Sequence, residues 1–261
     1  MATVQIEVRD LSFSYPKHPV LQHLTFSIPQ GELVALLGPN GAGKSTLFRC
    51  ILGFLRPEGE ILLHGRPVRS LTQRELSREI AYIPQSAEPI FNYTVLDTVL
   101  MGTTGTLQLA QRPGKAQLES AHRALEQLEI AHLANRGISQ VSGGERQLAL
   151  IARALVQNAA VLIMDEPTAN LDYGNQQRVM ARVRGLTRQG YTVLVSTHNP
   201  EHALRYASQV LALQDGSLCA FGPTAQTLTP DLIEKLYGIH VTMAEVMTPQ
   251  GPACNLIALE E

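Results

Sequence analysis

Three short segments of this 261-residue chain carry residue types and spacings suited to chemistry on a phosphorylated ligand. In Gly38-Pro39-Asn40-Gly41-Ala42-Gly43-Lys44-Ser45 the glycines let successive backbone N–H groups turn inward around phosphate oxygens, where a Cβ would clash. Lys44 then offers a point charge for the outer phosphates, and the Ser45 hydroxyl suits a Mg²⁺ shell. Val161-Leu162-Ile163-Met164-Asp165-Glu166 is an apolar run ending in two carboxylates. Asp165 suits the metal through water, which leaves Glu166 to orient or deprotonate an attacking water, a pairing that points to hydrolysis. The alternative is an acidic cap on the turn that Pro167 favours. In Val141-Ser142-Gly143-Gly144-Glu145-Arg146-Gln147, Ser142 can cap a helix and two glycines open its mouth. That is a second anion-binding helix terminus, or simply a capping box closed by Glu145.

These groups act together only if the fold carries them to one edge. Residues 32–37 are nearly all apolar, as in a strand buried on both faces, and the pattern after the glycine turn predicts a helix over residues 44–55. Residues 161–164 and 192–195 repeat the strand pattern with a helix-compatible stretch, 174–188, between them, as right-handed βαβ winding of a parallel sheet requires. Residues 4–28 alternate around the turn-like Tyr15-Pro16-Lys17-His18-Pro19, an antiparallel β opening. From 86 to 157 the reading is mostly helical, with Leu118, Ala121, Leu125 and Leu128 on one face and Leu148, Ile151, Ala152 and Leu155 on another. The Gly- and Thr-rich residues 102–114 are expected to form a flexible loop. Past Gly222 the pattern weakens to one helix, 230–237, capped by Gly238, and a tail containing Pro and Gly.

Composition narrows the function classes. With 44% hydrophobic and 17% charged residues and a mean hydropathy of zero, the chain reads as an ordinary soluble globular protein. A net charge of -2 provides no global positive field for nucleic acid, and the lack of Trp with 5% aromatics argues against a base-stacking surface. The longest apolar stretch, residues 159–164, is far short of a bilayer span, and residues 1–10 lack a signal-peptide pattern. Cys50, Cys219 and Cys254 show no paired metal spacing and read as reduced thiols. His198 and His202 are spaced as a helical metal pair, but Pro200 between them and the absence of further nearby ligands argue against zinc.

In this order the three segments resemble the ATP-binding subunits of ABC transporters, whose glycine-rich signature motif is matched by Ser142-Gly143-Gly144-Glu145-Arg146-Gln147; Val141 stands where Leu is usual. The resemblance covers almost the whole chain and implies an α/β P-loop NTPase core with a mostly parallel sheet, an antiparallel β subdomain and an inserted helical subdomain. The implied organisation is a core from 1–85 and 158–221, a helical subdomain from 86–157, and a C-terminal tail from 222–261. It implies ATP and Mg²⁺ as cofactors. Gly38, Asn40, Gly41, Gly43, Lys44, Ser45 and Thr46 would hold the phosphates, and Tyr15 would stack on adenine. Ser45, Gln85 and Asp165 would serve the metal, and Glu166, His198, Gln85 and Lys44 the reaction. Ser142, Gly144, Gln147 and Asp172 would complete the site of a second copy in a head-to-tail ATP sandwich. By themselves Tyr15 reads equally as a packed strand aromatic, Gln85 as a solvated loop residue, and His198 and Asp172 as polar caps.

The resemblance further implies a separate multi-span permease, indirectly a substrate-binding protein, no nucleic acid partner, and a place on the cytoplasmic face of the inner membrane through the permease. Ile90-Phe91-Asn92-Tyr93 offers apolar and aromatic anchors for the permease, or equally packs within the helical subdomain. Residues 82–85, 94–102 and Leu236-Tyr237-Gly238-Ile239 are similar to importer ATPases serving iron-siderophore, haem, cobalamin or molybdate, so the expected task is uptake of a metal chelate or metal oxyanion. The alternatives are a soluble ABC ATPase of the iron-sulfur assembly or repair type, against which stand a single ATPase unit and no coiled-coil insertion, and a small phosphate-loop kinase.

Overall fold

The structure is a computed structural model describing residues 4–85, 93–106, 113–248 and 251–259. The chain opens with strands β1 (Val4–Tyr15), β2 (His18–Pro29) and β3 (Leu33–Leu37), then helix α1 (Lys44–Ile51), β4 (Glu58–Leu63), β5 (Arg66–Pro67), α2 (Gln73–Glu79) and β6 (Ile80–Ile83). Helices α3 (Val95–Leu100), α4 (Lys115–Gln127) and α5 (Gly143–Leu155) follow, and then β7 (Val161–Asp165), α6 (Tyr173–Thr187), β8 (Thr192–Ser196), α7 (Pro200–Tyr206) and β9 (Gln209–Gln214) alternate. After them come β10 (Ser217–Pro223), α8 (Thr224–Thr227), α9 (Pro230–Tyr237), β11 (Val241–Thr248) and β12 (Gly251–Ala258).

The central sheet has the order β10-β9-β3-β8-β7-β6, parallel throughout except for β10 at its edge. An antiparallel sheet of order β2-β1-β4-β5 covers one face. The period of two along each central strand decides which core a side chain enters. Leu33, Ala35 and Leu37 of β3, with Leu162 and Met164 of β7, join the core formed with α3 to α7 and α9. Val34 and Leu36, with Val161 and Ile163, join the core shared with α1 and the antiparallel sheet, where Phe48 is 1% exposed. Every strand that leads to a chemically active loop is thus clamped from both sides. No helix among the described residues is long and apolar enough to cross a membrane.

Three expectations need correction. The helix after the glycine turn ends at Ile51 rather than Leu55, because Gly53 turns the chain at φ 68°. The start of the expected flexible loop, residues 102–106, belongs to a 3₁₀ turn that begins at Met101 and sits on α5, while 107–112 lie outside the described residues. The tail is ordered into the β11–β12 hairpin, whose strands pair from Val241 with Ala258 to Thr248 with Gly251. Alternation in Val241-Thr242-Met243-Ala244-Glu245-Val246, ahead of Pro249-Gln250-Gly251, was the available signal for it.

The glycines of the 101–106 turn differ sharply. A Cβ on Gly102 would overlap the Arg153 carbonyl and lie 2.6 Å from Val156 Cγ2, whereas one on Gly105 would meet nothing within 4 Å. We expect Gly102→Ala to lower stability by ~1–3 kcal/mol in denaturant titration and Gly105→Ala to change it little; equal midpoints would contradict this packing.

Candidate active site

The parallel strands end along one edge, where ligands of open α/β sheets bind. β3 delivers Gly38, and the loop runs to α1, which starts at Lys44. Gly38 packs so closely on the Leu213 carbonyl that a Cβ would overlap it, and Gly43 takes φ 99° with a Cβ position only 2.7 Å from Leu21 Cδ2. The α1 N-cap is this same Gly43, so no side chain occupies the first N–H groups of the helix. They remain donors for an anion, reinforced by the helix dipole.

Lys44 is buried, and its Nζ donates to the Gly38 carbonyl at 2.6 Å and the Pro39 carbonyl at 3.1 Å. Desolvation holds its pKa below the ordinary lysine value against the opposing pull of Glu166 and Asp165. A buried ammonium whose hydrogen bonds among the described residues go to backbone carbonyls is suited to exchanging them for phosphate oxygens.

Asp165, the last residue of β7, is 8% exposed and both of its oxygens are engaged. Ser45 Oγ donates to Oδ2 at 3.0 Å, and Ser196 Oγ donates to Oδ1 at 2.6 Å. Ser196 also accepts the Glu166 N–H at 2.9 Å, so one hydroxyl fixes both acidic residues. Parallel register explains the contact, since β7 and β8 set Asp165 beside Ser196. Sequence reasoning missed Ser196; its signal was a polar residue closing an otherwise apolar strand.

Glu166 leaves the strand at φ 44°, a strained value for a residue with a Cβ. Gln85 Nε2 donates to Glu166 Oε2 at 3.1 Å, and His198 Nδ1 lies 3.3 Å from the same oxygen. Three residues from the loops after β6, β7 and β8 therefore converge on one point. With Asp165, Val20 and residues 40–46 they line a cavity of about 510 Å³. A cleft of about 580 Å³ beside the C-terminal end of α1 is larger but gathers no such set of groups.

The other sequence-derived site residues stand apart from that lining. Tyr15 is half-buried at the end of β1, edge-on to Phe13 with ring centroids 5.0 Å apart, its hydroxyl 3.5 Å from Arg49. Ser142 caps α5 and forms the full capping box with Glu145, whose pKa the Ser142 backbone and side-chain hydrogen bonds lower. Gly144 packs against Asn175, and a Cβ there would lie 2.6 Å from its Oδ1. Asn175 in turn donates its side-chain N–H to Asp172, the α6 N-cap, at 2.6 Å. Gln147 is buried, and its Nε2 has no partner among the described residues. Of the expected permease anchors, Ile90, Phe91 and Asn92 lie outside the described residues, and Tyr93 is exposed.

A family model described as ABC transporter matches residues 21–169. The manganese transport system ATP-binding protein MntB of Bacillus subtilis is 39% identical over 91% of this chain and 94% of its own. The ferric enterobactin transport ATP-binding protein FepC of Escherichia coli is 34% identical over 92% and 89%. Among solved structures, an inward-facing metal-chelate type ABC transporter chain superposes with a TM-score of 0.88 at 32% identity, covering 99% of this chain and 98% of that one. The glycine loop and the separated carboxylates thus sit in a chain that belongs to the ABC transporter family, as one of its ATP-binding, ATP-hydrolysing subunits.

Proposed function

We propose that this subunit hydrolyses ATP at the edge formed by β3, β7 and β8 and couples that reaction to uptake of a metal ion or metal chelate through a separate permease. The observation that carries the chemical part is the unequal treatment of two adjacent carboxylates. Both line the cavity, but Asp165 accepts hydrogen bonds from Ser45 and Ser196, whereas one oxygen of Glu166 meets Gln85 and His198.

The loop N–H groups, the start of α1 and Thr46 bind the triphosphate, and Lys44 exchanges the Gly38 and Pro39 carbonyls for phosphate oxygens. Ser45 and Asp165 are hard oxygen donors and only two in number, which fits Mg²⁺, a cation that retains several waters. Mg²⁺ there would neutralise charge on the outer phosphates, with Gln85 at its edge. Glu166 accepts the proton of the attacking water, Gln85 orients that water, and His198 holds the terminal phosphate. Tyr15 stacks on the base. Because Ser142, Gly144, Gln147 and Asp172 lie outside the cavity of their own chain, we assign them to the site of a second copy in a head-to-tail dimer. The Asn175 contact to Gly144 and Asp172 then moves two of these elements together.

The transport reading is supported by relatives named for manganese, zinc and ferric enterobactin and by the metal-chelate type neighbour. It places the subunit on the cytoplasmic face of the membrane, held by a multi-span permease that a substrate-binding protein loads. The region of Tyr93 is the face we assign to the permease.

Glu166→Gln is expected to retain ATP binding, slow single-turnover hydrolysis by ~10²- to 10⁴-fold, and accumulate an ATP-bound dimer in light scattering. Hydrolysis at the wild-type rate would remove Glu166 from the reaction. Affinity purification of the tagged chain from detergent-solubilised membranes should bring down a multi-span protein; recovery only from the soluble fraction, without one, would defeat the transport reading.

A further inference from the structure

The last residue of α9 reaches the back of the phosphate loop. Leu232, Ile233 and Leu236 bury one face of this helix, Thr229 caps its start, and Gly238 ends it at φ 68°. Gln214, at the end of β9, donates its side-chain N–H to the Lys235 carbonyl at 3.1 Å, pinning the final turn beside the strand end. The residue before Gln214 is Leu213, whose carbonyl is the group that Gly38 packs against. Tyr237 therefore stands where α9, β9 and the start of the phosphate loop meet.

Its hydroxyl oxygen is sealed from solvent and completes no hydrogen bond of ordinary geometry among the described residues. Burial raises the pKa of that hydroxyl, and the Gly38 N–H beside it opposes the rise, while the charge of Glu166 adds weakly to it. A phenylalanine would fill the same space without leaving a buried polar group unpaired, so the hydroxyl is a cost in this state of the chain. That cost is recovered if the group finds its partner in another state.

We propose that Tyr237 is a positioning residue for the phosphate loop: its hydroxyl oxygen takes up the Gly38 N–H when a triphosphate draws the loop tight, linking nucleotide occupancy to the docking of α9 and the β11–β12 hairpin. The hairpin shares in the coupling because Val241 and Leu256 pack on the same core as α9. By linkage, a better docked C-terminal segment raises nucleotide affinity as much as nucleotide secures the segment. This inference rests on the ATP-binding reading of the loop.

Tyr237→Phe in the full chain tests it, with the β,γ-imido analogue of ATP and Mg²⁺ as ligand. The expected result is a nucleotide-free melting midpoint equal to or above wild type, together with analogue binding weakened roughly 3- to 10-fold in calorimetric titration. Tyr237→Leu, which loses the ring as well, should lower the midpoint both with and without the analogue. A Tyr237→Phe midpoint below wild type without nucleotide, or analogue affinity equal to wild type, overturns the proposal. Failure of the wild-type chain to bind the analogue would overturn the ATP-binding reading and this inference together, whereas normal wild-type binding with an unaffected Tyr237→Phe overturns this inference alone.

Discussion

One serine hydroxyl holds the two acidic residues of the site in different surroundings. Ser196 gives its proton to Asp165 and takes the backbone N–H of Glu166, so the first carboxylate is fixed at the strand end and the second is turned out on a strained backbone. Two adjacent carboxylates with similar surroundings would compete for the same cation and the same proton. Here both border the cavity, but the first is held by two serine hydroxyls and the second meets Gln85 and His198. The arrangement depends on the parallel register of β7 and β8, and that register depends on side chains packed on both faces of each strand.

The phosphate loop obeys a similar constraint from the opposite direction. It is shaped by close approach more than by hydrogen bonding: Gly38 sits on a carbonyl of β9 and Gly43 on Leu21 of β2, so the turn is wedged between the central and antiparallel sheets. Its inward N–H groups and the open end of α1 are left for a ligand, and Lys44 is parked on the carbonyls of its own loop. The waiting state is therefore polar, and the buried side-chain atoms left unpaired among the described residues include Tyr237 Oη behind the loop and Gln147 Nε2 on the signature helix.

The parts of the fold with strong period were legible in the sequence. The largely apolar runs at 33–37, 161–164 and 192–195 read as strands buried on both sides and form them, and the capping pattern at Ser142 and Glu145 is realised as a complete box. The glycine loop and the Asp165-Glu166 pair were equally legible, since their chemistry lies in consecutive residues. What escaped was relational. Ser196 matters because of a register between two strands, Asn175 because a glycine on another helix leaves it room, and Tyr237 because a distant helix docks at a strand end; no local pattern encodes those meetings. The hairpin at 241–258 was missed for a different reason. Its exposed apolar residues, among them Met247 and Ile257, blur the contrast between faces that marks a half-buried strand.

The division of labour between the carboxylates is tested most directly by steady-state ATPase kinetics and ATP affinity of Ser196→Ala. Asp165 keeps its Ser45 contact in this variant, so the fold and nucleotide binding should survive. With the shared hydroxyl gone, kcat should fall by roughly 10- to 100-fold, the loss of a hydrogen bond to a charged group at the reacting centre. A variant that folds, binds ATP and turns over at the wild-type rate would show that the two acidic residues need no common anchor, and the account of this site would fail.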